Sequence, residues 1–138
     1  MLLDYGCGPG GYIIPLAGLV GKEGTIFELD IHPLTIKMVQ DIASKKELTN
    51  VKTINSNCKN GLQDNSLDVV LLYDVFHDLN NPNEVLEELH RVLKTNGILS
   101  VSDHHMKENE IVSKFENRRL FRLVKKGKRI YSFSKKGQ

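Results

Sequence analysis

The sequence has few of the features that mark secreted, metal-bound or membrane-anchored proteins. It contains only two cysteines, Cys7 and Cys58, whose spacing fits neither a disulfide framework nor a zinc site. Its longest apolar run, residues 12–20, is broken by Pro15 and is far shorter than the ~20 residues that cross a bilayer. No positively charged segment precedes this run, so it does not read as a signal peptide. We therefore expect a cytoplasmic protein with reduced thiols, no metal and no membrane partner.

The net charge is also small, at +2, but it is unevenly distributed. Residues 1–113 contain 9 Lys and Arg against 16 Asp and Glu, whereas residues 114–138 contain 10 against one. A basic end of this kind can bind nucleic acid. It can equally form the solvated face of a terminal hairpin, which is the interpretation we favour. Nucleic acid is therefore not the expected partner, although the basic segment leaves that alternative open.

Segments of strand and helix character alternate along the chain. At 138 residues, its length fits one domain, residues 1–138. After residue 117 the pattern changes to two β-like runs around a short gap that contains Gly127, which indicates an antiparallel hairpin. This alternation predicts an open sheet with helices on both faces. The predicted strands are 2–5, 25–30, 51–56, 67–73, 98–102, 120–124 and 129–133, with helices after the first, second, fourth and fifth.

The helix after the fourth strand has clear start and stop signals. Asn81 and Pro82 are typical of the cap and the first helical position, and Glu84 follows at the third. Asn96 and Gly97 predict its end, because both residues tolerate the left-handed backbone that closes many helices. The next strand should then begin at residue 98.

The stretch from Gly6 to Gly11 is the most informative part of the sequence. A short apolar strand leads into four glycines within six residues, and a helix follows. Glycine lets a ligand approach the backbone closely, and the N–H groups at a helix start carry partial positive charge, so this layout favours a nucleotide-like ligand. The pattern formally matches G-x-G-x-x-G, and Asp30 lies where a ribose-binding acid would follow. A dinucleotide-binding protein is therefore one interpretation.

Three features favour a different nucleotide-like ligand. Asp4 stands two residues before the first glycine, at the end of a buried strand where a carboxylate is costly without a partner. A ligand that carries an amine, or the N–H groups of the turn, would supply that partner. The sequence offers no second domain or long insertion for a hydride acceptor, and a terminal antiparallel hairpin is not the usual end of a dinucleotide fold.

Residues 3–10 resemble the D-x-G-x-G-x-G signature of class I S-adenosylmethionine-dependent methyltransferases. Asp30 matches their ribose-binding acid, residues 64–77 are similar to their fourth strand and its exit, and residues 93–99 are similar to the approach to their fifth strand. The resemblance covers nearly the whole chain, and it is greatest to the small-molecule group that includes the type 11 and ubiquinone/menaquinone enzymes. It implies an α/β fold, a Rossmann-like three-layer sandwich. The mostly parallel, seven-stranded sheet would have the order 3-2-1-4-5-7-6, with the last strand antiparallel.

The same resemblance implies S-adenosylmethionine as the cofactor and assigns contacts to it. The glycines and Cys7 would lie against the methionine part and the ribose. Asp4 would face the amino group, Asp30 would accept hydrogen bonds from both ribose hydroxyls, and Ile31 would pack on the adenine. The full set of expected cofactor contacts is Asp4, Gly6, Cys7, Gly8, Gly10, Asp30, Ile31, Asn57, Cys58, Tyr73 and Asp74.

Two pairs of residues in this set follow the third and fourth predicted strands or lie at their ends. Asn57 stands where related sequences usually have an Asp that binds the adenine amine, and its side-chain carbonyl can still accept that N–H. Cys58 beside it would offer its backbone N–H to the ring. Tyr73 and Asp74, at the end of the fourth strand, would border the transferable methyl. Asp30 and Asp74 could alternatively only cap the segments that follow them.

Methyl transfer demands little acid–base chemistry, because in-line positioning of an acceptor against an activated methyl does most of the work. If the acceptor must lose a proton, His77 is the candidate catalytic base, since His titrates near neutral pH. His104 and His105, after the fifth strand, are weaker candidates. No spacing among these histidines supports a metal site.

The acceptor itself is not specified by the sequence. Methyltransferases of this group usually carry helices before the first strand, which cover the cofactor and shape the acceptor pocket, and this sequence has none. We therefore expect a pocket that is open, is completed by a second copy of the chain or is closed by the acceptor, unless the sequence is a truncated form. Residues 74–77 do not match the Asn-Pro-Pro-Tyr motif of DNA amino-methyltransferases. A non-catalytic cofactor-binding or interaction domain remains the alternative.

Overall fold

A seven-stranded sheet organises the fold in the computed structural model, which describes residues 1–6 and 12–136. The strands are β1 (Leu2–Tyr5), β2 (Ile26–Asp30), β3 (Val51–Asn55), β4 (Leu67–Tyr73), β5 (Leu93–Ser102), β6 (Phe121–Lys126) and β7 (Tyr131–Lys135). Their order across the sheet is β3-β2-β1-β4-β5-β7-β6. The pairs among β1 to β5 are parallel, whereas β7 runs antiparallel to both β5 and β6. The predicted α/β class, strand order and antiparallel last strand are confirmed.

The described part of the chain has α-helices on both faces of this sheet. Each of three prolines lies in a first helical turn, where its missing N–H costs nothing. One face is covered by the two helices that follow β1 and β2, and the other by the two that follow β4 and β5. The helices are α1 (Ile13–Val20), α2 (Pro33–Lys45), α3 (Pro82–Val92) and α4 (Glu108–Glu116).

The larger core lies under α3 and α4. Phe115 of α4 packs between Phe76 and Phe133, with ring centroids 4.6 and 5.0 Å away. Phe133 belongs to β7, whereas Phe76 belongs to a short 3₁₀ turn, Phe76–Asp78, that follows β4. The ring stack therefore fixes the segment after β4 against the body of the protein.

The predicted end of the third helix is wrong. Helix α3 ends at Val92, and residues 93–97 already belong to β5. Gly97 is not a left-handed cap. A Cβ added there would lie 2.7 Å from Cδ1 of Leu93 and 3.0 Å from the carbonyl oxygens of Leu67 and Asp68. Glycine is therefore required at this position because β4 and β5 approach each other closely, and not because the chain reverses.

The terminal hairpin forms as predicted, but its strands begin one or two residues later than expected. Its turn lies at residues 127–130, and the Gly127 N–H donates to the carbonyl oxygen of Ile130 (2.8 Å). Because β1 to β5 are parallel, their carboxyl ends meet at one edge of the sheet. Ligands of open α/β sheets bind at that edge, and the predicted site residues follow these strand ends.

Candidate functional site

A cavity of about 590 Å³ opens at the carboxyl ends of β1, β2 and β3. The segment between the end of β4 and the start of α3 forms its opposite wall. Its volume lies within the usual range for small-molecule sites. Four of the predicted cofactor contacts line it: Gly6, Asp30, Ile31 and Asn57.

Asp30 is the last residue of β2 and is largely buried. Its Oδ1 accepts a hydrogen bond from the His32 N–H (2.9 Å), which sets the orientation of the carboxylate at the cavity wall. The Asn55 side chain donates to the carbonyl oxygens of Asp30 and Ile31, both at 3.0 Å, and so ties this turn to β3. The Ile31 side chain is 54% exposed although it is apolar. The turn therefore presents a fixed carboxylate and an apolar surface side by side.

Gly6 begins the turn after β1 with a left-handed backbone, at φ +71°. Its N–H donates to the carbonyl oxygen of Leu29 (2.8 Å). A Cβ added at this position would lie 2.5 Å from Cγ2 and 3.1 Å from Cβ of Val75. Both the backbone angle and the close approach of Val75 require glycine, and Gly6 and Val75 both line the cavity.

Asn57 forms the far end of the cavity. Its backbone carbonyl accepts hydrogen bonds from the Tyr5 hydroxyl (2.7 Å) and from the Asn81 side chain (3.4 Å). Burial raises the pKa of Tyr5 well above its usual value, so the phenol stays a donor. Cys58 is buried beside the cavity and is not part of its lining. Its N–H donates to the Ser56 hydroxyl (3.1 Å), so the structure does not bring that amide to the cavity.

Asp4 is buried on the α1 and α2 face of β1, paired in register with Glu28 of β2. Burial raises the pKa of Asp4, interaction with the Glu28 side chain lowers it, and the charge of Asp30 raises it further, with a raised pKa as the result. Three acidic side chains thus lie together at the ends of β1 and β2, just before the glycine stretch. Sequence reasoning missed Glu28, although an acid inside an otherwise apolar strand is itself a signal.

Tyr73 and Asp74, at the end of β4, lie outside the cavity lining. The Tyr73 hydroxyl is hydrogen-bonded to the Ser100 hydroxyl (2.8 Å) on β5. Asp74 has a left-handed backbone, φ +55°, and its carboxylate contacts Nδ1 of His104 at 2.7 Å. Burial raises the pKa of Asp74, but the hydrogen bonds from His104 and the charges of His104 and His105 outweigh it, so the pKa lies below its usual value.

His77 lies on the 3₁₀ turn after β4 and contacts Asp103, the residue that follows β5. Its Nδ1 is 2.9 Å from Oδ2 of Asp103, and its backbone N–H donates to the same oxygen (3.0 Å). The His105 ring lies against it, with ring centroids 4.1 Å apart. Sequence reasoning did not single out Asp103.

Three of the predicted cofactor contacts lie outside the described residues: Cys7, Gly8 and Gly10. Across residues 1–6 and 12–136, no group of three or more His, Cys, Asp or Glu side chains is arranged to hold a metal ion. Over the same residues, no helix combines the length and the apolar character needed to cross a membrane.

Residues 1–138 match the family described as "Methyltransferase domain". The chain belongs to this family. It is 35% identical over 97 residues to the demethylmenaquinone methyltransferase of Geobacillus stearothermophilus, covering 70% of this chain and 42% of the relative. It is 27% identical over 125 residues to the ubiquinone/menaquinone biosynthesis C-methyltransferase of a Marinomonas species, covering 89% and 50%. The chain thus spans about half the length of the curated relatives it matches, or somewhat less.

Solved structures agree with this assignment. The chain superposes on an S-adenosylmethionine-dependent methyltransferase from Aquifex aeolicus with a TM-score of 0.84 and 25% identity, covering 96% of this chain and 80% of that one. It also shares its fold with the [4+2]-cyclase SpnF, with a TM-score of 0.77 and 18% identity, covering 90% and 52%. The family match replaces the dinucleotide-binding alternative, whereas the likeness to the cyclase concerns the fold alone.

Proposed function

We propose that this chain binds S-adenosylmethionine in the cavity at the ends of β1, β2 and β3 and transfers its methyl group to a small-molecule acceptor. The observation that carries this proposal is the convergence of Gly6, Asp30, Ile31 and Asn57 on one cavity. A fixed carboxylate, an adjacent exposed apolar side chain and a glycine in the cavity wall fit a ribose and an adenine lying against the backbone.

Each residue near the cavity has a separate part in the proposal. Asp30 accepts hydrogen bonds from the ribose hydroxyls, Ile31 packs on the adenine, and Asn57 binds at the adenine edge. The buried acids Asp4 and Glu28 favour the ammonium end of the ligand by their negative potential. When bound, S-adenosylmethionine supplies an electrophilic methyl group on a sulfonium. The proposed contacts of Cys7, Gly8 and Gly10 complete the set, whereas Cys58, Tyr73 and Asp74 have their polar groups engaged elsewhere.

The acceptor side is proposed from the relatives. Two of them are named for menaquinone and ubiquinone biosynthesis, so a quinol-type aromatic compound is the first acceptor to examine. A hydroxyl on such a compound must lose a proton as it reacts, which gives His77 a role as proton acceptor. A cytoplasmic location and completion of the acceptor side by a second copy stay predictions, which cell fractionation and sedimentation velocity would check.

Isothermal titration with S-adenosylhomocysteine tests the cofactor site. We expect micromolar affinity for the wild type and a loss of about 10- to 100-fold for Asp30→Ala, since hydrogen bonds to a charged group disappear. Asp41→Ala, on an exposed position of α2, is the control and should bind as the wild type does. Equal affinity of Asp30→Ala and the control would refute the role of Asp30. Absence of binding to the wild type would refute the proposed function.

A further inference from the structure

Two aspartate–histidine pairs lie where β4 and β5 end, and they differ in burial. We propose that Asp103 is a positioning residue that holds His77 as the proton acceptor of the methyl-transfer reaction. Proton transfer from an acceptor hydroxyl then goes to Nε2 of His77. This inference rests on the proposed function and adds to it a second residue and the class of acceptor, a phenol or an enol.

The Asp103 carboxylate determines which nitrogen of His77 carries a proton. The side chain of Asp103 is fully buried, and it accepts three hydrogen bonds. Oδ2 accepts from the backbone N–H (3.0 Å) and from Nδ1 of His77 (2.9 Å), and Oδ1 accepts from the His105 N–H (2.9 Å). An ionised carboxylate is only an acceptor, so Nδ1 must carry the hydrogen. Nε2 is then the nitrogen with a lone pair, as in other aspartate-oriented histidines.

The backbone around His77 is fixed as well as the ring. Phe76, the preceding residue, is buried in the stack with Phe115, and the His77 N–H shares the oxygen that holds its own ring. His77 therefore has little freedom to rotate away from Asp103. Such restraint is what a general base needs, because a misplaced base loses most of its effect.

His77 lies beside the cavity that we assign to the cofactor. Val75, which precedes the turn, and Asp78, its last residue, both line that cavity. The His77 side chain is 27% exposed, so a small molecule can reach the ring. An acceptor that approaches the cavity across this turn meets a histidine whose outer nitrogen is free to take a proton.

The second pair, Asp74 with His104, is less suited to this task. Its side chains are 44% and 56% exposed, so solvent screens the interaction and competes for its hydrogen bonds. Asp103 is shielded from both effects. Asp103 therefore holds its histidine in one orientation more firmly than Asp74 holds His104.

Other titratable groups also act on His77. The loop after β5 contributes Asp103, His104 and His105. The His105 ring stacks on the His77 ring, with ring centroids 4.1 Å apart. The end of β4 and the turn contribute Asp74 and Asp78. Of these groups, Asp103 is the one that is hydrogen-bonded to the His77 ring.

The proton transfer balances without a further reactant. The acceptor O–H bond breaks and its hydrogen goes to Nε2 of His77. The electron pair left on the acceptor, on oxygen or on a conjugated ring carbon, forms the bond to the methyl group. The electron pair of the broken carbon–sulfur bond stays on sulfur. The imidazolium, held by Asp103, returns its proton to water.

Long-range ¹⁵N–¹H correlation spectra of histidine-labelled protein, saturated with S-adenosylhomocysteine, test the inference without any acceptor. His77→Asn identifies the His77 signals by their absence. We expect Nδ1 of wild-type His77 to carry the proton and Nε2 to be unprotonated above the histidine pKa. Asp103→Asn should weaken this preference for a proton on Nδ1, since a buried charged hydrogen bond is lost. Asp41→Asn, the matched exposed control, should leave it unchanged.

Kinetics with reduced demethylmenaquinone and S-adenosylmethionine supply a second readout. Asp103→Asn should lower kcat by about 100-fold and move the acidic limb of the kcat–pH profile to lower pH. The KM for S-adenosylmethionine should stay within about twofold of the wild-type value, and Asp103→Glu should restore part of kcat. A neutral wild-type His77 ring protonated on Nε2, or an unchanged His77 tautomer in Asp103→Asn, would overturn the inference. The wild-type tautomer decides it even if Asp103→Asn does not fold. Failure of the wild type to bind S-adenosylhomocysteine would instead refute the proposed function.

Discussion

Replacing Gly6 by alanine tests how the turn after β1 is built. The added Cβ meets two separate obstacles. The backbone at Gly6 has φ +71°, a conformation that costs an L-residue about 1–2 kcal/mol. The Cβ would also lie 2.5 Å from Cγ2 of Val75, well inside van der Waals contact, and overpacking of this kind costs about 1–3 kcal/mol. Together these terms predict a loss of about 2–5 kcal/mol in the free energy of unfolding.

Gly61→Ala separates the two terms. Gly61 has a similar φ, +74°, but an added Cβ there meets nothing within 4 Å. This control should lose only about 1–2 kcal/mol. For a chain of this size, about 3 °C of Tm corresponds to 1 kcal/mol, so Gly6→Ala should lower Tm by about 6–15 °C and Gly61→Ala by about 3–6 °C.

Chemical denaturation of four variants completes the test. Val75→Ala removes both γ-carbons, so it should relieve part of the Gly6→Ala loss in the double variant. The relief is partial because Cβ of Val75 would still lie 3.1 Å from the new carbon. We expect a favourable interaction energy of about 0.5–3 kcal/mol between the two sites. Equal losses for Gly6→Ala and Gly61→Ala, with strict additivity in the double variant, would refute the steric argument.

Three further predictions concern buried polar groups. The stability of Asp4→Asn relative to the wild type should be greater at pH 7 than at pH 4. The reason is that Asp4 has a raised pKa, so ionising it as the pH rises destabilises the wild-type protein. A stability difference that does not vary with pH would contradict this. Tyr5→Phe should lose about 1 kcal/mol of unfolding free energy in urea, since the hydroxyl no longer donates to Asn57, and an unchanged midpoint would count against that bond. Glu88→Gln should lower the free energy of unfolding at neutral pH, because hydrogen bonds with Arg91 hold the pKa of Glu88 below 4.5. This loss of stability should shrink as the pH falls through the lowered pKa. A loss that stays constant with pH would be inconsistent with this cause.

The fold could be predicted because its signals are local and repeated. The apolar run at residues 67–73 gives β4 with its bounds, since only a strand covered on both faces is so continuously apolar. Proline at the start of α2 and α3 fixed where those helices begin. Gly97 misled the prediction because the sequence does not distinguish a glycine needed for a left-handed cap from one needed for close strand packing.

The site could be predicted only in part, because side chains that meet at the sheet edge come from distant segments. Gly6, Asp30, Ile31 and Asn57 lie at one cavity, since each ends a strand or follows its end within two residues. His77 and Asp103 are 26 positions apart in the sequence, so no local sequence pattern indicates that they are in contact. The contact exists because β4 and β5 are neighbours in the sheet and because the 3₁₀ turn directs the ring toward β5.

A crystal structure with S-adenosylhomocysteine tests the central claim most directly. Our account predicts the adenosine in the cavity between β1 and β3, with both ribose hydroxyls on Asp30 and the adenine between Ile31 and Asn57. The sulfur should point toward the ends of β4 and β5, on the side of His77. Density for the ligand at any other edge of the sheet, or contacts that leave Asp30 unbound, would contradict the account.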